Sequence, residues 1–331
     1  MTLLPGDAAR RGGIHRTASG SAGIWTTLSI LAALSLLPSW LGLAGGWNWR
    51  LDLFAHFRWQ YLLLGAVVIP WALWRRHRLL LAFAVLTTLL NGTLIAQLAW
   101  QPALSAATPT HAFVLRLLSL NLLTSNPHKQ RVIDLVTASG ADVVVLTEVD
   151  VEWATALEPL ATQYPHRIVH PRPDNFGVAL LSRIPLEEPA LMRFGDTPMP
   201  SVMARIRHQG RSLLVVGTHP PPPLSARHAV VRDRQLDALG DLVAQRDEPV
   251  VVLGDFNATP WSAPMRALTA GRLGFRSVDA PWTPTWMVRT PFAIPIDHVL
   301  CTAPLVIVSR SVGPEVGSDH RPVQVELRWL D

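Results

Sequence analysis

Short apolar runs in this 331-residue chain repeatedly end in side chains that can bind a cation or handle a proton. Asn121 closes Leu117–Leu120, Glu148 closes Val143–Thr147, and His219 closes Leu213–Thr218. Asp255-Phe256-Asn257 follows Val250–Leu253 and Gly254, Asp297 lies in Ile296-Asp297-His298-Val299, and Ser318-Asp319-His320 precedes Arg321-Pro322-Val323. A charged group that ends a buried strand projects into whatever cleft lies at the end of the sheet. With no serine or cysteine nucleophile signature beside them, carboxylates, amides and imidazoles so placed point to oxygen-ligated metal chemistry on phosphate. Residues two apart in an extended segment share a face, so Asp255 and Asn257 can converge on one phosphate and its attacking water. A carboxylate bonded to an imidazole fixes its tautomer and raises its basicity, which makes Asp297 and His320 an oriented pair. Taken singly, each position has an ordinary reading: an Asn ends strands in many turns, and a D-x-N triplet arises by chance. The ordered set of seven, Asn121, Glu148, His219, Asp255, Asn257, Asp297 and His320, is what carries the argument.

The elements that would position these residues are legible as strands and helices of an α/β protein. Strands are expected at 113–120, 142–147, 177–182, 202–207, 212–218, 249–253, 296–301 and 323–328. Helices are expected at 128–138, 153–162, 227–244 and 263–270. Gly254 is expected to let the chain turn sharply before Asp255. The 219 residues from Phe113 onward are enough to bury a substantial core. Cys301, the single cysteine, excludes an intramolecular disulfide and a cysteine zinc cage, and reads as a core residue.

These motifs, Ser318-Asp319-His320 before Arg321-Pro322 most specifically, resemble the endonuclease/exonuclease/phosphatase superfamily, and the resemblance spans nearly all of 113–331. It implies a DNase I-like four-layer α/β/β/α sandwich. It implies a metal held by Asn121 and Glu148, with Asp319 supporting the metal or the histidine. His219 would donate to the phosphate or help the leaving oxygen, while Asp255, Asn257 and the Asp297–His320 pair would activate or orient the nucleophile. Family members often carry Gln before the glutamate where this chain has Thr147, which leaves the ligand itself intact. Oxygen ligands favour Mg²⁺ or Mn²⁺; His219, His298 and His320 keep zinc as an alternative. Asp174 is the one carboxylate in view to orient His219. Arg183 and Arg232 or Arg234 match recurrent positions of scaffold character, and Trp282, Trp286, Trp261 and Phe292 could line the substrate mouth or simply pack.

Ahead of this unit stand three uncharged apolar stretches, 24–44, 59–74 and 79–100, followed by a proline-punctuated linker at 101–112. A span needs about 20 apolar residues, so the first and third fit and the second is short. Three in succession are hard to bury in a soluble fold, and a cleaved signal peptide is the rival reading of the first. Arg10, Arg11 and Arg16 precede the first stretch, and Arg75, Arg76 and Arg78 separate the second from the third. The remaining loop has only Arg50 and Arg58, beside Asp52. The positive-inside rule therefore places the N-terminus in the cytoplasm and 113–331 in the periplasm of a multi-pass inner-membrane protein. The high pI, about 10.5, belongs to the membrane part, since 113–331 holds 21 basic against 22 acidic residues. That near-neutral balance disfavours a grip on duplex DNA. The sequence-level expectation is a membrane-anchored, metal-dependent phosphodiesterase or phosphatase acting on a lipid-linked, small-molecule or nucleic-acid phosphoester. A membrane-anchored nuclease and an inactive tethered binding module are the alternatives. A transporter is disfavoured because Asn91 and Gln97 alone make a poor path through otherwise apolar spans.

Overall fold

Each valine- and leucine-rich run forms a strand buried on both faces, so its period of two sorts side chains between two different cores rather than between core and water. The computed structural model describes residues 18–99, 114–276 and 283–330. The expected linker, 101–112, lies outside them. One sheet has six strands in the order β10-β11-β1-β2-β4-β3 and the other five in the order β5-β6-β7-β8-β9. The strands are β1 (Val114–Asn121), β2 (Val143–Thr147), β3 (His166–His170), β4 (Val178–Ser182), β5 (Leu186–Met192), β6 (Ser201–His208), β7 (Arg211–Thr218), β8 (Val250–Asp255), β9 (Asp297–Cys301), β10 (Leu305–Val312) and β11 (Val323–Trp329).

Leu115, Leu117, Val143 and Val145 of the first sheet pack against Leu213, Val215, Val251 and Leu253 of the second. The alternate residues Leu118, Leu120, Val144 and Leu146 face helix α4 (Lys129–Ala138) and Trp153 of α5 (Val151–Ala156). On the far side, Leu214, Val216, Val250 and Val252 face α6 (Ala226–Ala244) and α7 (Ala263–Thr269). The result is the α/β/β/α sandwich expected of a DNase I-like chain.

Three strands escape the sequence reading, β3, β5 and β10, and all three are sheet edges. An edge strand has one neighbour and a wetter face, so its apolar pattern is broken. β5 carries Glu187, Glu188 and Pro189 across a register shift, and β10 shifts register between Ile307 and Ser309. The helix expected at 153–162 divides into α5 and a 3₁₀ turn at Glu158–Thr162, with Pro159 in its first turn.

At the N-terminal end, α1 (Ala18–Leu41), α2 (Arg58–Trp74) and α3 (Arg78–Ala99) pack together. Among the described residues, three stretches are long and apolar enough to cross a membrane: Gly23–Ala44, Trp49–Trp74 and Arg78–Leu98. The second is longer than its apolar run because helical turns over Trp49–Phe57 precede α2. It also carries a charge that hydropathy does not place inside a bundle. Buried Arg58 donates from Nη1 to the Ser39 carbonyl at 2.7 Å and lies 3.4 Å from Asn91 Oδ1, while Asn91 Nδ2 donates to Ser39 Oγ at 2.8 Å. Asn91 thus closes a polar knot between helices.

The sandwich sits against the end of this bundle formed by Trp49–Phe57 and the last turn of α3. Trp261 Nε1 donates to the Leu94 carbonyl, and Gln60 Nε2 to the carbonyls of Pro291 and Ala293. At the opposite end, the Arg75 guanidinium lies 4.5 Å from the Trp25 ring centre and 5.4 Å from that of Trp74.

Candidate active site

Topology brings the strand-ending residues together. β1 and β2 run parallel, as do β7 and β8, so the carboxyl ends of both pairs lie at the same end of their sheets. β9 is antiparallel to β8 and starts where β8 stops, with Asp255 opposite Asp297. Parity does the rest. Asn121, His219, Asp255 and Asp297 continue the odd-numbered series Leu115/Leu117, Leu213/Val215, Val251/Leu253 and Val299/Cys301, whose members face the space between the sheets. They therefore meet at the open end of that space.

The network is dense. Asn121 Nδ2 donates to Glu148 Oε1 at 3.1 Å and to Asp255 Oδ2 at 3.0 Å. Glu148 Oε2 accepts from the Thr124 N–H at 3.0 Å. His219 Nε2 lies 3.4 Å from Asp255 Oδ2, and Phe176 packs on the His219 ring at 5.3 Å between centroids. His320 Nδ1 lies 2.8 Å from Asp297 Oδ2, and its Nε2 lies 3.6 Å from Asp255 Oδ2. The serine two residues before His320 has a definite job: Ser318 Oγ donates to the Asn121 carbonyl at 2.7 Å and accepts from the His320 N–H at 3.0 Å. Gly317, at φ 97°, fits there because a Cβ would meet Asn126 Oδ1 at 2.4 Å. Glu148 and Asn257 hold φ of 60° and 47°, a region non-glycine residues seldom occupy.

Gly254 serves a different purpose from the expected turn. It lies within β8 at φ 147°, and a Cβ there would stand 2.0 Å from the Thr218 carbonyl, so glycine allows the close approach of β7 that delivers His219 to Asp255. Asn257 holds the same corner: its N–H donates to Asp255 Oδ1 at 2.8 Å and its Nδ2 to the Pro220 carbonyl at 3.0 Å.

Charges in this buried pocket are strongly biased. Burial opposes the charged form of Asp255, but His320, with the hydrogen bond and charge of His219, outweighs it and pulls the carboxyl down to about 2. Burial also opposes a charged His320, and the flanking carboxylates of Asp297 and Asp255 overcome it, raising the imidazole to about 10. Asp297 is pushed up, first by burial and further by the like charge of Asp255. Asp297 Oδ1 and His219 Nδ1 are buried with no hydrogen-bond partner among the described residues.

The donor set fits a hard divalent cation. Asp255, Asp297 and His320 offer ligand atoms all within 4.8 Å of one another, and the Asp297 Oδ1 atom is free of other bonds. Glu148 adds a carboxylate through Asn121. This acid–histidine cluster differs from the expected trio Asn121, Glu148 and Asp319. Asn121 Oδ1 accepts from the Leu123 N–H, so the amide turns its NH₂, not its oxygen, toward the carboxylates. Asp319 is exposed, and its Oδ2 accepts from Trp286 Nε1 at 2.9 Å.

Several expectations are corrected. His298 has the opposite parity to Asp297 and lies between Phe256 and Phe275, donating from Nε2 to the Ala258 carbonyl; burial holds it down at about 3, and it is no metal ligand of this cluster. Asp174 pairs with Arg172 instead of orienting His219. Trp261 docks on α3 and lines no mouth. Arg183 stacks on Tyr164. Trp282 lies outside the described residues. Sequence reading also passed over Thr124, and it gave Thr285 no role, although Thr285 Oγ1 accepts from the N–H groups of Ile296 and Asp297. The Trp286 ring, 6.4 Å from that of His320, borders the site. A cavity of about 740 Å³ opens beside Ser318 and Asp319, lined also by His128, Arg131, Trp286 and Arg321.

Solved structures share this fold. An endonuclease/exonuclease/phosphatase from Beutenbergia cavernae aligns with TM-score 0.55 at 22% identity, covering 65% of this chain and 72% of its own. D. rerio TDP2 complexed with a single-strand DNA product aligns with TM-score 0.55 at 16% identity, covering 65% and 99%. Sphingomyelinase C from Streptomyces griseocarneus aligns with TM-score 0.50 at 21% identity, covering 65% and 99%. No protein of curated function matches the chain by sequence. The Endonuclease/Exonuclease/phosphatase family profile, however, matches residues 118–320, which run from the middle of β1 through His320. With more than half its length so matched and the sandwich in place, the chain belongs to the Endonuclease/Exonuclease/phosphatase family.

Proposed function

We propose that this protein is a membrane-anchored, Mg²⁺- or Mn²⁺-dependent phosphoester hydrolase. Residues 1–100 form its membrane unit, 101–112 a linker and 113–331 the hydrolase, which faces the periplasm. The observation that carries the reading is the convergence of Asn121, Glu148, His219, Asp255, Asp297 and His320 at one end of both sheets. Asp255 and the free Oδ1 of Asp297 would hold the ion, with Glu148 and, after its amide turns over, Asn121 assisting, while Asp319 stays outside on Trp286. When bound, such an ion supplies charge neutralisation at the phosphoryl and leaving oxygens.

The chain's own groups do the rest. Asp255, kept ionised, accepts a hydrogen bond from the attacking water, and Asn257 fixes the corner that aims it. His320, oriented by Asp297, would take up the water's proton in its neutral form. Its high proton affinity reflects two carboxylates, and a dication beside Asp255 would offset part of that rise. His219 donates from Nε2 to the phosphate or its leaving oxygen.

A substrate in the bilayer is favoured by where the mouth lies. The segment Thr285–Ile294, which carries Trp286 beside His320, rests on the start of α2 through Gln60 and a Phe57–Phe292 contact with 6.3 Å between centroids. The adjoining cavity sets Arg131, Arg289 and Arg321 against Glu315 and Asp319, a small cationic excess that suits an anionic headgroup. The runner-up is nucleic acid, the product type in the D. rerio TDP2 complex. The test is turnover by the full-length protein in nanodiscs with Mg²⁺, on vesicle-embedded phospholipid, single-stranded DNA and a small chromogenic phosphodiester. Cleavage of lipid is expected; cleavage of DNA alone would overturn the lipid assignment, and cleavage of nothing would remove the hydrolase reading.

A further inference from the structure

The connection between α1 and α2 reaches into the segment that carries Asp255 and Asn257. Asp52 is buried at 2% exposure although it belongs to the bundle and its partners belong to the sandwich. Its Oδ2 pairs with Arg232 Nη2 at 3.2 Å, and its Oδ1 accepts from the Ala263 N–H at 2.7 Å. That second bond supplies the cap that Ser262, the N-cap residue of α7, does not make with its own side chain. Arg232, 1% exposed, then reaches the Asn257 carbonyl with Nη1 at 3.5 Å. Four residues along the connection, His56 accepts at Nδ1 from the Thr259 N–H at 3.3 Å and lies 3.0 Å from Thr259 Oγ1.

The segment Asp255–Ala263 is therefore held at Asn257, Thr259 and Ala263, each time directly or through Arg232 by a side chain of the α1–α2 connection. A buried ion pair between parts far apart in sequence is a poor source of net stability, because desolvation consumes much of its attraction, but it is demanding in geometry. Here that geometry is imposed on a corner whose Asn257 sits at φ 47°.

We propose that Asp52 and His56 are positioning residues: through Arg232 and Thr259 they hold the Asp255–Ala263 segment in its working conformation, so that the membrane unit forms a wall of the active site and not merely a tether. The effect on turnover rests on the hydrolase reading given above; the conformational part does not.

The experiment uses the full-length protein in nanodiscs and the variants Asp52→Asn and His56→Ala. The first keeps an acceptor for the Ala263 N–H while removing the charge, and the second breaks no ion pair, so it remains informative should the first fail to fold. Two readouts are taken: hydrogen exchange of the amides from Phe256 to Ala263, and kcat and KM on a small chromogenic phosphodiester. A displaced catalytic group costs on the order of a hundredfold for an ångström. Expected is at least about tenfold faster exchange confined to 256–263, with kcat down about tenfold or more and KM within about twofold. A merely structural contact would lower the yield of folded protein while leaving kcat and this local exchange at the parent's values, and that result overturns the proposal. Loss of turnover without the local change in exchange overturns it too. An inactive parent whose variants still show the local exchange would sink the hydrolase reading and leave the positioning role standing.

Discussion

Replacing Asp297 by Asn tests the charge logic of the site without changing its shape. Asp297 Oδ2 stands 2.8 Å from His320 Nδ1 in a pocket where both side chains are almost fully buried. Together with Asp255 it lifts the imidazole from 6.5 to about 10. Each tenfold change in proton affinity is worth about 1.4 kcal/mol, so the two carboxylates favour the charged ring by several kcal/mol against the cost of burial. Asn keeps one hydrogen bond but forfeits the charge and can select the wrong tautomer, a defect worth about 10⁴-fold in the serine-protease triad. General acid–base assistance is otherwise worth about 10²–10⁴-fold. Asp297→Asn and His320→Ala should therefore each lower kcat by at least about a hundredfold. Because the two residues act as one unit, the double variant should lose little more than either single one. The assay is steady-state turnover of a chromogenic phosphodiester by full-length protein with Mg²⁺, alongside the near-ultraviolet spectrum to confirm folding. Turnover by folded His320→Ala within about twofold of the parent would refute the reasoning, as would losses in the two single variants that simply multiply in the double.

Oxygen ligands hold Mg²⁺ weakly and through waters, so EDTA should abolish turnover and Mg²⁺ or Mn²⁺ restore it; undiminished activity after thorough chelation would reject the metal assignment. A phosphatase reporter fused after Asp331 should be active in the periplasm, whereas a reporter that works only in the cytoplasm would invert the topology. Gly254→Ala should cost about 1–3 kcal/mol, read as a lower Tm, because its Cβ would stand 2.0 Å from the Thr218 carbonyl; an unchanged Tm would show that β7 and β8 can part freely.

The sequence by itself determined the strands that carry the site and the face on which their last residues lie. That information is local: a run such as Val250–Leu253 is a buried strand by composition, and the period of two places Asp255 with Val251 and Leu253. The same parity separates His298 from Asp297, so His298 could have been set apart from His219 and His320 as a ligand without a structure. Edge strands were less legible, because one-sided pairing tolerates the glutamates and proline of β5 that a central strand would not. What only the tertiary structure decided is which distant residues meet. Asn121 touches both Glu148 and Asp255 across the two sheets, Arg58 is buried against Ser39 and Asn91, and Asp52 lies against Arg232, 180 residues away. Nothing in the neighbourhood of Asp52 distinguishes it from a loop charge, and the resemblance that marks Arg232 or Arg234 as scaffold names no partner for either. The burial of Asp52 and Arg232 follows from the packing of the α1–α2 connection against the sandwich, a long-range contact that propensity and periodicity, which are properties of neighbouring residues, do not encode.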